Sequence, residues 1–162
     1  MGNDKNAVQA ATSWIGFVAS CLTLLLGIFH VCNVKARIKW PSGSVIEDVQ
    51  WSTWRAPLFT FTPDMFFDVW TPFFFGLLGC LAHLSQFSLV NRIAKDFIHY
   101  FVFLMIQGLF GNIGYDGGMG IIVSGFTFLA ALFSLISFFM DQEAQASLNL
   151  NLGVDVRRPA RA

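Results

Sequence analysis

Charge is what this sequence has least of. Its 162 residues include ten lysines and arginines against ten aspartates and glutamates, a formal balance of zero. So sparse and even a set leaves no basic footprint for nucleic acid, and no nucleic-acid partner is expected. Cysteine is scarcer still. Cys21, Cys32 and Cys80 fall in apolar runs without a Cys-x-x-Cys pair, which signals neither a zinc site nor a disulfide framework. They read as small buried or lipid-facing side chains. No Asn-x-Ser/Thr sequon occurs, so glycosylation says nothing of sidedness. The N-terminus does not read as a signal peptide, because its apolar run is too long, no small-residue cleavage site follows and Asp4 offsets Lys5. "MGNDKN" departs from a myristoylation signal at Asn6, where Ser or Thr is wanted.

What is present is apolar. Hydrophobic residues make up 55% of the chain and Phe alone supplies nineteen, more than a soluble domain of this size can hide behind a polar surface. The expected solvent is lipid. A membrane helix needs about 20 mostly apolar residues, and four segments qualify: 13–34, 69–90, 92–113 and 118–140. The expectation is therefore an all-α integral membrane protein, an antiparallel four-helix transmembrane bundle. A polar N-terminus (1–12), a long aromatic first loop and a polar tail (141–162) lie outside it. Thr62-Pro63-Asp64 reads as an N-cap, a first-turn proline and an acid at the start of the second helix, which Pro72 should bend. Trp40, Trp51, Trp54 and Trp70 suit the headgroup region. The basic residues nearly balance across the two sides, and the long polar tail favours cytosolic termini.

Glycine is concentrated in "GLFGNIGYDGGMGIIVSGF". A phosphate loop would need a preceding strand and, in the Walker form, a Gly-Lys-Ser/Thr ending, and neither is present. The stretch reads as a helical hairpin, with Gly114 ending the third helix in a left-handed conformation and Asp116-Gly117-Gly118 turning into the fourth.

Alternating steps of three and four along each span collect small and polar residues. The first gives Ser13, Gly16, Ser20, Thr23, Gly27 and His30; the second, Pro72, Gly76, Gly79, His83 and Gln86. The third gives Tyr100, Leu104, Gln107, Gly111 and Gly114; the fourth, Gly120, Ser124, Thr127, Ala131 and Ser134. Helices in lipid associate through close backbone approach and polar contacts, so this seam is the expected packing face. At about 1.5 Å of rise per residue, Thr23, Gly79, Gln107 and Thr127 fall at similar depth. Gln107 can then bridge to Thr23 or Thr127, with Gly79 leaving room.

No Asp, Glu, Lys or Arg sits well inside a span, which argues against pumps, voltage sensors and many ion-coupled transporters. No catalytic arrangement emerges, and an enzyme is not expected. His30, His83 and His99 are single-ligand candidates for a cofactor, but their depths do not match a bis-histidine haem; pigment or lipid enters only within a photosynthetic complex. The first loop contains a Pro-Ser-Gly turn, consistent with a small hairpin or a tryptophan-anchored interfacial loop. In the tail, "SLNLNLGVDV" alternates strictly over 147–156. It places Leu148, Leu150, Leu152, Val154 and Val156 on one face, as a strand that stays disordered or docks on a partner.

From Tyr100 onward, "YFVFLMIQGLFGNIGYDGGMGIIVSGF" resembles the COPI-associated family of small four-span Golgi membrane proteins. The resemblance rests on "YFVFL", Gly108-Leu109-Phe110, Gly114 and the glycine-containing apolar span that follows. It implies a non-enzymatic endomembrane protein with membrane-protein partners, acting in vesicle traffic or membrane organisation. The alternative is an accessory subunit of a large respiratory or photosynthetic complex, in the mitochondrial inner membrane or thylakoid.

Overall fold

The computed structural model describes residues 2–32 and 63–150, with side chains for 6–32 and 70–150. Among the described residues every regular element is a helix. Helix α1 runs over Gly2–Val31, α2 over Pro63–Leu81, α3 over Phe97–Ile106 and α4 over Gly118–Met140. A short 3-10 helix, Val90–Ala94, leads into α3, and a π-helical stretch, Gln107–Asn112, continues it. Residues 6–31 of α1 and the whole of α4 are each long and apolar enough to cross a bilayer, while 70–81 and 97–112 are shorter apolar helices. The expected first-loop hairpin, Trp40, Trp51 and Trp54 lie outside the described residues, as do Leu152, Val154 and Val156.

Helix α1 lies against α2 and α4, α3 packs on α4, and the π-helical stretch touches α2 and α4. The glycine contacts show α1 and α2 running antiparallel. Gly27 meets the backbone of Phe73, Gly76 that of Leu24, and Gly79 the side chain of Ser20. At the first two positions a β-carbon would overlap the facing main chain, so the crossing requires glycine. Pro72 lies inside α2 at this crossing and is fully buried.

Three limits differ from the expected spans, each for a physical reason. Helix α1 starts at Gly2, not near residue 13. The Thr12 and Ser13 hydroxyls bond back to the Val8 and Gln9 carbonyls, and Thr12 also meets Ser137 of α4 at 2.9 Å, so the polar lead is held as helix. Helix α2 stops at Leu81 instead of continuing to 90. The carbonyls of Ala82 and His83, which a continuing helix would use, accept from Ser147 Oγ and the Leu150 N–H, while the Ser85 N–H donates to the Leu150 carbonyl. Helix α3 begins at Phe97 rather than 92, because Asp96 adopts an extended conformation and its carboxylate caps the His99 N–H at 2.9 Å.

The turn into α4 follows the glycines. Gly114 has φ +92° and Gly117 φ +55°, and Asp116 between them also has a positive φ of 47°. Nothing lies within 4 Å of a β-carbon built on Gly114, so its role is conformational. The expectation that it also packs a helix is corrected: it needs glycine for its backbone angle alone.

Candidate functional site

The interior of this fold combines an apolar core around Leu26, Phe97, Tyr100 and Leu104 with many buried polar side chains, and much of its exterior is apolar. Ser20, Thr23, His83, Gln107, Asn112, Thr127, Ser134 and Ser137 are fully buried, while Phe110, Leu132, Ile136 and Phe139 are more than half exposed. The small and polar steps of the sequence lie along this interior. Ser13, Gly16, Ser20, Thr23, Gly27 and His30 of α1 are buried, as are Gly76 and Gly79 of α2, Gly111 beyond α3, and Gly120, Ser124, Thr127, Ala131 and Ser134 of α4. Gly111 faces the Phe75 side chain, and Gly120 packs against the carbonyls of Tyr115 and Asn112, at the turn instead of against another helix.

At the centre is Gln107. Its Nε2 donates to Thr23 Oγ1 at 2.7 Å, and its Oε1 accepts from Ser20 Oγ at 3.4 Å. Thr23 passes its own proton to the Ala19 carbonyl at 3.1 Å. Gly79 stands beside both Ser20 and the Gln107 carbonyl oxygen, where a β-carbon would crowd the pair. Of the two bridges open to Gln107, the one it makes in this structure is to Thr23.

Thr127 has another partner. Asn112 Nδ2 donates to Thr127 Oγ1 at 3.0 Å, and Thr127 donates on to the Val123 carbonyl at 2.8 Å. Asn112 is the residue that regular helical steps miss. The π-helical turn adds one residue to the repeat, so Gln107 and Gly108 share the interior with Gly111 and Asn112. Ser124 Oγ donates to the Gly108 carbonyl at 2.9 Å, and that same oxygen accepts the Ile113 N–H five residues on, at 3.3 Å. A hydroxyl from α4 thus sits where the α-helical donor would go. Its sequence signal is Gly108 opposite Ser124.

The network also runs outward. The Leu148 N–H donates to His83 Nδ1 at 3.2 Å, and His83 Nε2 meets the Tyr100 hydroxyl at 2.8 Å. A backbone amide can only donate, so Nδ1 carries the lone pair and Nε2 the proton. Tyr100 therefore accepts from His83, while Gly16 leaves space for its ring. The result is a directional chain from Leu148 through His83 to Tyr100, beside the Ser20–Gln107–Thr23 set. Burial pushes His83 down to about 4, so the imidazole is neutral at physiological pH.

The three histidines are not brought together. His83 spends both ring nitrogens on protein partners. His30, at the far end of α1, stacks edge-on against Tyr115 with its Nδ1 4.0 Å from Asp116. His99 is exposed and its Nδ1 lies 2.6 Å from Asp96. Burial works to raise the Asp96 carboxyl pKa, but the His99 hydrogen bonds and the His99 and Lys95 charges outweigh it and hold the group below its ordinary value.

The tail corrects a further expectation. Instead of waiting for a partner, residues 147–150 dock on their own chain. Leu150 forms an isolated parallel bridge with Leu84, its N–H reaching the His83 carbonyl at 2.8 Å. Strand alternation breaks at Asn149, whose φ is +48°, and Asn91 Nδ2 donates to its side chain at 3.3 Å. Leu148 and Leu150 are accordingly part of the fold.

No family model, curated protein or solved structure matches the chain.

Proposed function

We propose that this protein is a non-enzymatic four-span integral membrane protein acting through helix packing and protein–protein contact in membrane organisation. The observation that carries the reading is an outer surface rich in exposed Phe, Leu and Ile around an interior that holds buried hydroxyls, amides and imidazoles beside its apolar core. In water that arrangement leaves a large apolar surface exposed. In a bilayer it is the stable one, because lipid covers the shell and interhelical hydrogen bonds join the helices. Under this reading α1 and α4 span fully, and the shorter apolar segments 70–81 and 97–112 complete the spanning layer beside them.

Within that class, the resemblance around residues 100–126 favours an endomembrane protein of the Golgi and vesicle traffic. The docking of residues 147–150 in cis supports it over an accessory subunit, since that part of the tail already has its backbone partners. Two measurements test the reading. The protein should stay in the membrane pellet through alkaline carbonate extraction; release into the supernatant would overturn membrane integration. Native-size analysis of endogenous protein in mild detergent should give a small particle, whereas a stable large assembly would transfer the assignment to the accessory-subunit class.

A further inference from the structure

We propose that Cys21 and Cys80 form a reversible redox pair that closes as an intramolecular disulfide between α1 and α2. Separated by 59 positions in the sequence, their sulfurs lie 3.6 Å apart. A disulfide requires about 2.05 Å between sulfurs and α-carbons within about 7 Å. The crossing supplies that proximity independently of the thiols. Gly79, next to Cys80, packs on Ser20, next to Cys21, and one turn further on Gly76 lies against the Leu24 main chain. Closing the bond then brings the two sulfurs about 1.5 Å closer across a crossing whose main chains are already packed together.

The two thiols differ in access. Cys21 is on the outer surface of the fold, which lipid covers under the reading proposed above, and Cys80 is half-buried, so the reagent that reaches them is a lipid-soluble one; Cys32, also exposed, sits just past the end of α1. The chemistry is exchange with a low-molecular-weight disulfide. The sulfur of Cys21 attacks one reagent sulfur, loses its proton and expels a reagent thiol with the bonding pair. Cys80 then attacks the Cys21 sulfur, loses its proton and expels the second reagent thiol. One protein S–S bond forms and one reagent S–S bond is cleaved; two thiols are oxidised and two are produced. A dithiol reverses both steps. The closed form ties α1 to α2 between cysteines 59 positions apart, which restricts the unfolded chain and holds the crossing shut.

The test uses the full-length protein, folded in detergent or nanodiscs, treated with 4,4′-dithiodipyridine and analysed by non-reducing peptide mass spectrometry. The expected result is a peptide linked through Cys21 and Cys80 that carries no reagent, with the reagent retained on Cys32. In Cys80→Ser the reagent should stay on Cys21. The treated parent should unfold at a higher temperature than the dithiol-reduced protein, a shift that Cys21→Ser and Cys80→Ser both lose. Stable reagent adducts on both Cys21 and Cys80 in the parent would overturn the proposal. So would a bond joining Cys32 or two chains, or no reaction at either cysteine.

Discussion

Gln107→Leu tests whether the interior chain joins the helices. The substitution removes the 2.7 Å bond to Thr23 and the 3.4 Å bond from Ser20 while keeping a side chain of similar length in the gap beside Gly79. Little is left stranded. Thr23 keeps its bond to the Ala19 carbonyl, and Ser20 can turn its hydroxyl to a carbonyl one turn earlier in α1. The cost should therefore be that of the interhelical bonds themselves, about 0.6–2 kcal/mol in a membrane setting. Gln107→Glu should cost more, because under the membrane reading proposed above a carboxylate inside a span is disfavoured by up to roughly 2.5–3.5 kcal/mol. The assay is reversible denaturant unfolding of the reconstituted protein, as a double-mutant cycle with Thr23→Val. A coupling energy of about 0.6–1.7 kcal/mol is expected. A coupling of zero, with both single variants as stable as the parent, would refute the claim that Gln107 holds α3 to α1.

Three further outcomes follow from particular geometries. Gly114→Val should destabilise by roughly 1–3 kcal/mol through its positive φ, and Gly114→Asn by less; equal stability of both variants and the parent in thermal unfolding would count against the turn argument. Folding stability should fall as pH drops from 6.5 to about 4, because the unfolded chain then protonates His83 while the folded chain does not. That contribution is complete above pH 6.5 and amounts to roughly 3 kcal/mol at most; His83→Gln should flatten this part of a stability-against-pH curve, and an unchanged slope would reject it. The Leu148 and Leu150 amides should exchange slowly in the isolated protein, and deletion after Gln145 should speed exchange at Ser85, whose amide loses its acceptor. Fast exchange at both leucines before deletion would mean that the tail is not docked.

Several features were legible because they depend on local chemistry. Helix α4 occupies the expected 118–140, bounded by glycines at one end and polar residues after Met140. The recurrence of Gly, Ser and Thr in steps of three and four identifies the buried faces of α1, α2 and α4, since a helix turns its periodic residues to one side. Gly114 was readable from type and position, as a left-handed residue at a helix end is usually glycine. Other features were not local. The end of α2 depends on Ser147 and Leu150, and the 65-residue separation of those partners leaves no trace in a short window. The tail alternates like a strand, but the positive φ at Asn149 and the bond to His83 decide its conformation.

What the sequence by itself determined is the helical, apolar character of the chain, the glycine turn before α4 and the helical faces that pack. Composition and periodicity act residue by residue and carry that information directly. Tertiary structure alone decided the partners on those faces: Gln107 with Thr23, Asn112 with Thr127, His83 with Tyr100 and Leu148, and Cys21 with Cys80. A polar side chain in an apolar setting needs a partner, but which one it finds depends on the depth and rotation of helices distant in sequence. In α3 the π-helical turn changes that rotation by one residue. It is the contact between Ser124 and the Gly108 carbonyl, formed only when α3 and α4 meet, that stands in for the missing α-helical bond and brings Asn112 inside.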